Sequence, residues 1–103
     1  MGLVNASSTE LLSNHGMALL YVARNPNARL RDVASGLGVT ERCAFGLIDD
    51  LARSGVIERT RVGRANSYRV NGVAPMRHEV TGGRTVADLV GAFAVATGSP
   101  AAN

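Results

Sequence analysis

The chain has no tryptophan, no lysine and only one cysteine, Cys43. A lone thiol cannot form an intrachain disulfide, so a stapled secreted scaffold is excluded and nothing points to an oxidising compartment. No apolar run approaches the ~20 residues that cross a bilayer. The N-terminus lacks a basic segment ahead of an apolar stretch, so no signal peptide is expected, and the reading is a cytoplasmic bacterial protein without membrane contact. With one Cys and two distant His, there is no ligand cluster for metal sensing. There is also no phosphate loop, nucleophile motif or clustered carboxylate pair. The expectation is therefore no enzyme, no metal and no cofactor.

Aromatics are scarce as well: Tyr21, Phe45, Tyr68 and Phe93. The core must be built from Leu, Val, Ile and Ala. At 103 residues the chain makes one domain. So small a core is marginal alone, and a second subunit would bury more apolar surface.

Charge is unevenly placed. All basic side chains are Arg, which codon bias explains without Arg-specific chemistry. Residues 53–77 hold Arg53, Arg59, Arg61, Arg64, Arg69 and Arg77 against one acid, Glu58, while the flanking segments are slightly acidic. Positive charge concentrated in one short stretch suits a phosphate-facing element, the plainer alternative being a solvated charged surface.

Residues 30–71 contain two short amphipathic helices joined by a Gly-bearing turn, then two strands around a Gly-Arg tip. Helix one is expected over Asn14 to Arg24, with Ser13 as N-cap, a Leu12–Met17 staple, and Ala18, Leu19 and Val22 facing inward. Asn25-Pro26-Asn27 ends it. Leu30, Val33, Ala34 and Leu37 give helix two, about Arg31 to Leu37, with Gly38 as a left-handed cap. Helix three starts at its N-cap Thr40, carries the stripe Ala44, Leu47, Ile48 and Leu51, and closes at Gly55. Val56–Arg61 and Asn66–Val70 are strand candidates around a connection at 62–65. A last helix, about Val86 to Thr97, is capped by Thr85 with Asp88 and stopped by Gly98-Ser99-Pro100. The fold class is mainly α with a small β-wing: a winged helix-turn-helix plus a C-terminal dimerisation helix. The divisions are a flexible arm at 1–12, a DNA-binding domain at 13–71, a connector at 72–84, the last helix at 85–97 and a disordered tail at 98–103.

In such a unit the outer face of helix three enters the major groove. That face carries Arg42, Gly46, Asp49 and Arg53, with Phe45 at its edge. Arg42 suits a phosphate or a guanine edge, and amides near Thr40 suit a phosphate. Phe45 suits a thymine methyl group or partial burial against the wing. Asp49, four residues before Arg53, reads as its ion-pair partner rather than a base reader. Gly46 offers no side chain where a contact is expected, so sequence preference is modest or comes from shape readout by the wing. Arg64 projects from the tip into a narrow minor groove, while Arg59, Arg61 and Asn66 reach the backbone. The apolar stripe of the last helix, including Leu89, Val90 and Phe93, is expected at a homodimer contact; the alternative is packing on helix one.

From Ser13 to Leu89 the chain resembles small single-domain winged-helix regulators of the MarR/ArsR-like superfamily, in particular short actinobacterial forms. The resemblance rests on Asn14-His15, ARNP at 23–26, LRDVA at 30–34, GVTER at 38–42, DL at 50–51, RTRVGRANSY at 59–68, MRHEV at 76–80 and TVADL at 85–89. It implies a dimeric transcription regulator whose Arg42, Arg61, Arg64 and Asn66 touch DNA. The departure is Phe45-Gly46, where relatives tend to carry longer polar side chains.

The resulting expectation is sequence-selective double-stranded DNA binding by a homodimeric transcriptional regulator, as a repressor, with room for an unknown small-molecule effector between subunits. Two alternatives stay open. One is a winged-helix protein–protein interaction module, favoured by Asp49, Asp50 and an exposed Phe45. The other is a low-specificity architectural DNA binder. His15 reads as a packing or capping group, His78 as a hydrogen-bonded loop residue, and Cys43 as a small buried residue or a redox-sensitive thiol on the DNA face.

Overall fold

The computed structural model describes residues 11–63 and 65–101. Three helices come first: α1 (Asn14–Arg24), α2 (Leu30–Leu37) and α3 (Glu41–Arg53). A hairpin of β1 (Ile57–Val62) and β2 (Ala65–Val70) follows, then a short 3-10 helix (Glu79–Thr81) and α4 (Val86–Ala101).

The helix starts follow from local chemistry. Ser13 Oγ accepts from the Gly16 amide and Thr40 Oγ1 from the Cys43 amide, each satisfying an amide left open by the first turn. At α2 the residue before the helix is Arg29, whose side chain cannot accept. The reciprocal bond carries this start instead, the Arg29 amide donating to the Asp32 carboxylate. Gly38, at φ +73°, turns the chain from α2 towards α3, and Gly55, at φ +82°, turns it from α3 into the hairpin.

Ala18, Leu19 and Val22 of α1 meet Val33 and Ala34 of α2, and Ala44, Leu47, Ile48 and Leu51 of α3. Ile57 and Tyr68 seal this core from the hairpin, and Ala74 and Val86 from the later chain. No polar or charged side chain is buried among the described residues, so the core is held by apolar burial. The Tyr68 amide donates to the Pro26 carbonyl at 2.8 Å, anchoring β2 to the α1–α2 turn.

The strands are antiparallel, with Ile57 opposite Val70, Arg59 opposite Tyr68, Arg61 opposite Asn66 and Val62 opposite Ala65. Pairing of Val62 with Ala65 shortens the connection to residues 63 and 64, not the four residues 62–65 read from the sequence. Gly63, at φ +62°, meets the dihedral demand of a two-residue hairpin loop.

Three further boundaries differ from expectation. Helix two begins one residue early, at Leu30. The connector 72–84 carries regular structure: Pro75 bridges Thr85, the Met76 amide donates to the Arg84 carbonyl, and His78 caps the 3-10 helix. Finally, α4 runs to Ala101, past the expected stop at Gly98-Ser99-Pro100. Most of the 1–12 arm lies outside the described residues. Its last residue, Leu12, is half-buried and packs beside Gly16.

Candidate nucleic-acid interface

Helix α3 sorts its residues by period. Ala44, Leu47, Ile48 and Leu51 point into the core, leaving Glu41, Arg42, Cys43 and Phe45 exposed on the first turns. Phe45 is 53% exposed, so burial against the wing accounts for only part of its surface. Cys43 is exposed too, which corrects the reading of it as a small buried residue: its neighbour Ala44, not Cys43, falls on the apolar stripe. None of the ion pairs among the described residues engages Arg42, whereas Arg53, the other cation of the helix, is paired with Asp49.

Directly opposed residues of a hairpin share a face, and alternate residues share it along each strand. Ile57, Arg59 and Arg61 therefore lie on one face with Asn66, Tyr68 and Val70. Ile57 and Tyr68 are buried, so this face is turned to the helices, and Arg61 and Asn66 continue it towards the tip. Arg61 Nε donates to the Gly63 carbonyl at 3.3 Å, which lays its guanidinium along the hairpin. Arg64, expected at the tip, lies outside the described residues. The opposite face holds Glu58 and Arg69, joined as an ion pair.

Two acids of α3, Asp49 and Asp50, are engaged within the molecule. Asp49 accepts from Arg53 at 3.2 Å and from Arg59 at 3.4 Å. Asp50 pairs with His15 Nε2 at 2.8 Å, linking α3 to α1. The Asp49–Arg53 pair was legible as an i,i+4 contact. The Arg59 and His15 contacts were not, because residues 10 and 35 positions apart meet only once β1 and α1 pack against α3. Arg59, expected to reach DNA, is thus held against α3 in this state.

His78 is hydrogen-bonded in its loop, its Nδ1 accepting from the Val80 amide at 3.1 Å. Leu89 and Val90, expected at a subunit contact, spend part of their surface on the chain's own core. Phe93 is 37% exposed and lines an open apolar groove of about 530 Å³ with Leu12, Met17, Leu20 and Tyr21. No metal-binding cluster occurs among the described residues, and none of their helices is long and apolar enough to cross a membrane.

No protein-family model matches the sequence, and no curated protein matches it. Among solved structures, the fold is similar to that of MepR, a transcription regulator of the Staphylococcus aureus multidrug efflux pump MepA. The TM-score is 0.54 at 21% identity, over 84% of this chain and 58% of that one. A mutant MepR from a multidrug-resistant S. aureus clinical isolate gives 0.53 at 20% identity, over 90% and 64%. The chain therefore spans less than two thirds of the length of either. The likeness is one of fold: α1 to β2 form a winged helix-turn-helix, mainly α with a small β-wing.

Proposed function

We propose that this protein binds double-stranded DNA sequence-selectively, as a homodimeric transcriptional regulator that represses. The observation that carries this reading is the shared placement of two reading elements. Helix α3 offers an exposed first turn with Arg42 and Phe45, and the wing carries Arg61 and Asn66 on the face that packs against the helical body. A helix and a basic hairpin so joined fit a major groove and the backbone or minor groove beside it.

In this reading Arg42 contacts a phosphate or a guanine edge, Phe45 a thymine methyl group, and amides near Thr40 a phosphate. Arg61 and Asn66 hold the backbone, and Arg64 enters a narrow minor groove. Two copies would engage a roughly palindromic site with half-sites about one helical turn, ~34 Å, apart. MepR, with the same fold, is a transcription regulator, which supports the assignment.

The protein-interaction alternative loses part of its support. Asp49 and Asp50 favoured it, but Asp49 pairs with Arg53 and Arg59, and the Asp50 carboxylate lies 2.8 Å from His15 Nε2 of the same chain.

Fluorescence anisotropy tests the proposal, using DNA upstream of the protein's own gene against a scrambled duplex at near-physiological salt. Wild type should prefer the upstream DNA. Arg61→Ala and Arg64→Ala should each weaken binding to both duplexes and flatten the salt dependence by about one phosphate contact, a slope change of roughly 0.9. Equal binding to both duplexes would move the assignment to an architectural role. No binding to either would move it to protein interaction.

A further inference from the structure

Three cations of the basic stretch are differently employed. Arg61 lies along the wing, whereas Arg53 and Arg59 converge on one carboxylate, Asp49. Arg53 comes from the same helix and Arg59 from β1, so the group that neutralises them also ties the wing to the reading helix. The Asp49–Arg59 contact is the more sheltered of the two. Its side chains are about a quarter and a third exposed, against 77% for Arg53. Partial shelter reduces screening by salt, so this contact persists where an exposed pair fades.

We infer that Asp49 is a specificity-determining positioning residue: it keeps Arg53 and Arg59 occupied in the unbound protein and fixes the wing against α3. This inference rests on the DNA-binding reading above. A guanidinium already paired with a carboxylate gains little by exchanging it for a phosphate. The two arginines therefore add little to the sequence-independent attraction that any duplex exerts. Unpaired, each becomes a general phosphate binder. A duplex that does not fit draws on these arginines only by leaving the Asp49 carboxylate uncompensated beside it, whereas a site that fits α3 and the wing together leaves the pairs intact and escapes that penalty. Selectivity then arises from an unfavourable element as well as favourable contacts.

The test uses the full chain and anisotropy titrations with two probes. One is a duplex that wild type enriches from a random-sequence pool; the other is its scramble. Both are followed over ~50–200 mM salt. Asp49→Asn should bind the scramble about 3- to 10-fold more tightly, steepen its salt slope by about 1–2, and lose discrimination by at least the same factor. Asp49→Glu, which keeps the charge, should retain most of the discrimination. Adding Arg59→Gln to Asp49→Asn should return part of the slope. Thermal unfolding monitors the fold of each variant. If Asp49→Asn does not fold, Arg59→Gln alone carries the test, and should weaken binding to the selected duplex more than to the scramble.

An unchanged ratio and slope in folded Asp49→Asn would overturn the inference, as would a parallel loss of affinity for both duplexes, which marks a merely structural role. If wild type enriches no sequence at all, the sequence-selective reading itself falls and takes this inference with it. That result is distinct, because it appears before any variant is made.

Discussion

Two glycines inside helices show how differently the same residue is used. Nothing lies within 4 Å of a Cβ built on Gly46, in the middle of α3, so alanine fits without contact. Removing the conformational freedom of glycine should then stabilise by up to ~1 kcal/mol. The corresponding rise in melting temperature is about 4–8 °C for a domain of this size. At Gly36 of α2 the same Cβ would overlap the ring of Tyr21. The ring must shift to make room, and such overpacking costs about 1–3 kcal/mol, more than the propensity gain. Thermal or urea unfolding should therefore give opposite signs for Gly46→Ala and Gly36→Ala. In a Tyr21→Ala background the Gly36→Ala penalty should vanish. A penalty that survives there would show that Tyr21 is not its cause. Neither environment was legible in the sequence. Gly46 was noticed for the side chain it lacks, but the closeness of Gly36 to Tyr21 arises only when α1 and α2 pack.

The elements are where the sequence was most informative. Apolar spacing and a capping residue located α1, α3 and the start of α4 because both signals act over one or two turns. The connector had neither. Its 3-10 helix is held by His78 Nδ1 on the Val80 amide and by the Thr81 hydroxyl, which donates to the Met76 carbonyl at 2.9 Å, contacts with no periodic signature. The site divided in the same way: Arg42, Phe45 and Arg61 followed from helix and strand alternation, whereas the Asp49–Arg59 tie needed tertiary structure. At the start of α4 the expected Thr85–Asp88 box forms from one side. The Thr85 amide and hydroxyl both donate to the Asp88 carboxylate, at 3.0 and 3.3 Å. The bond from the Thr85 amide is the largest cause holding the Asp88 carboxyl below its usual 3.8, with the Thr85 hydroxyl and Arg84 acting the same way. In the folded chain this carboxyl therefore gives up its proton more readily than in the unfolded chain. Its stabilising effect is complete above the unfolded value and is lost as pH falls below 3.8 through the folded one. The melting temperature of wild type should fall further than that of Asp88→Asn as pH is lowered through this window. Parallel melting curves for the two proteins would show that the cap does not depend on the charge.

At the scale of the whole molecule, Phe93 of α4 and the groove beside it stand open to solvent. From Val86 to Ala101 its sequence holds a single charged residue, Asp88. Leu89 and Val90 reach the chain's own core, yet Phe93 keeps more than a third of its surface in solvent, beside a groove walled by Leu12, Met17, Leu20 and Tyr21. A core made almost wholly of Leu, Val, Ile and Ala leaves little margin for apolar surface in water. In the homodimer proposed above, a second copy laid against α4 and the groove would bury that surface and set two α3 helices and two wings on one duplex. Light scattering at micromolar concentration should then give twice the chain mass of 10.7 kDa. Phe93→Glu places a carboxylate where the second copy packs, so it should yield the monomer while leaving the helix signal in circular dichroism intact. Its affinity for a palindromic site should fall towards that for a single half-site, because the second half-site no longer binds as part of the same particle. A wild-type monomer at micromolar concentration would end the dimer model. A dimeric Phe93→Glu would move the interface away from α4.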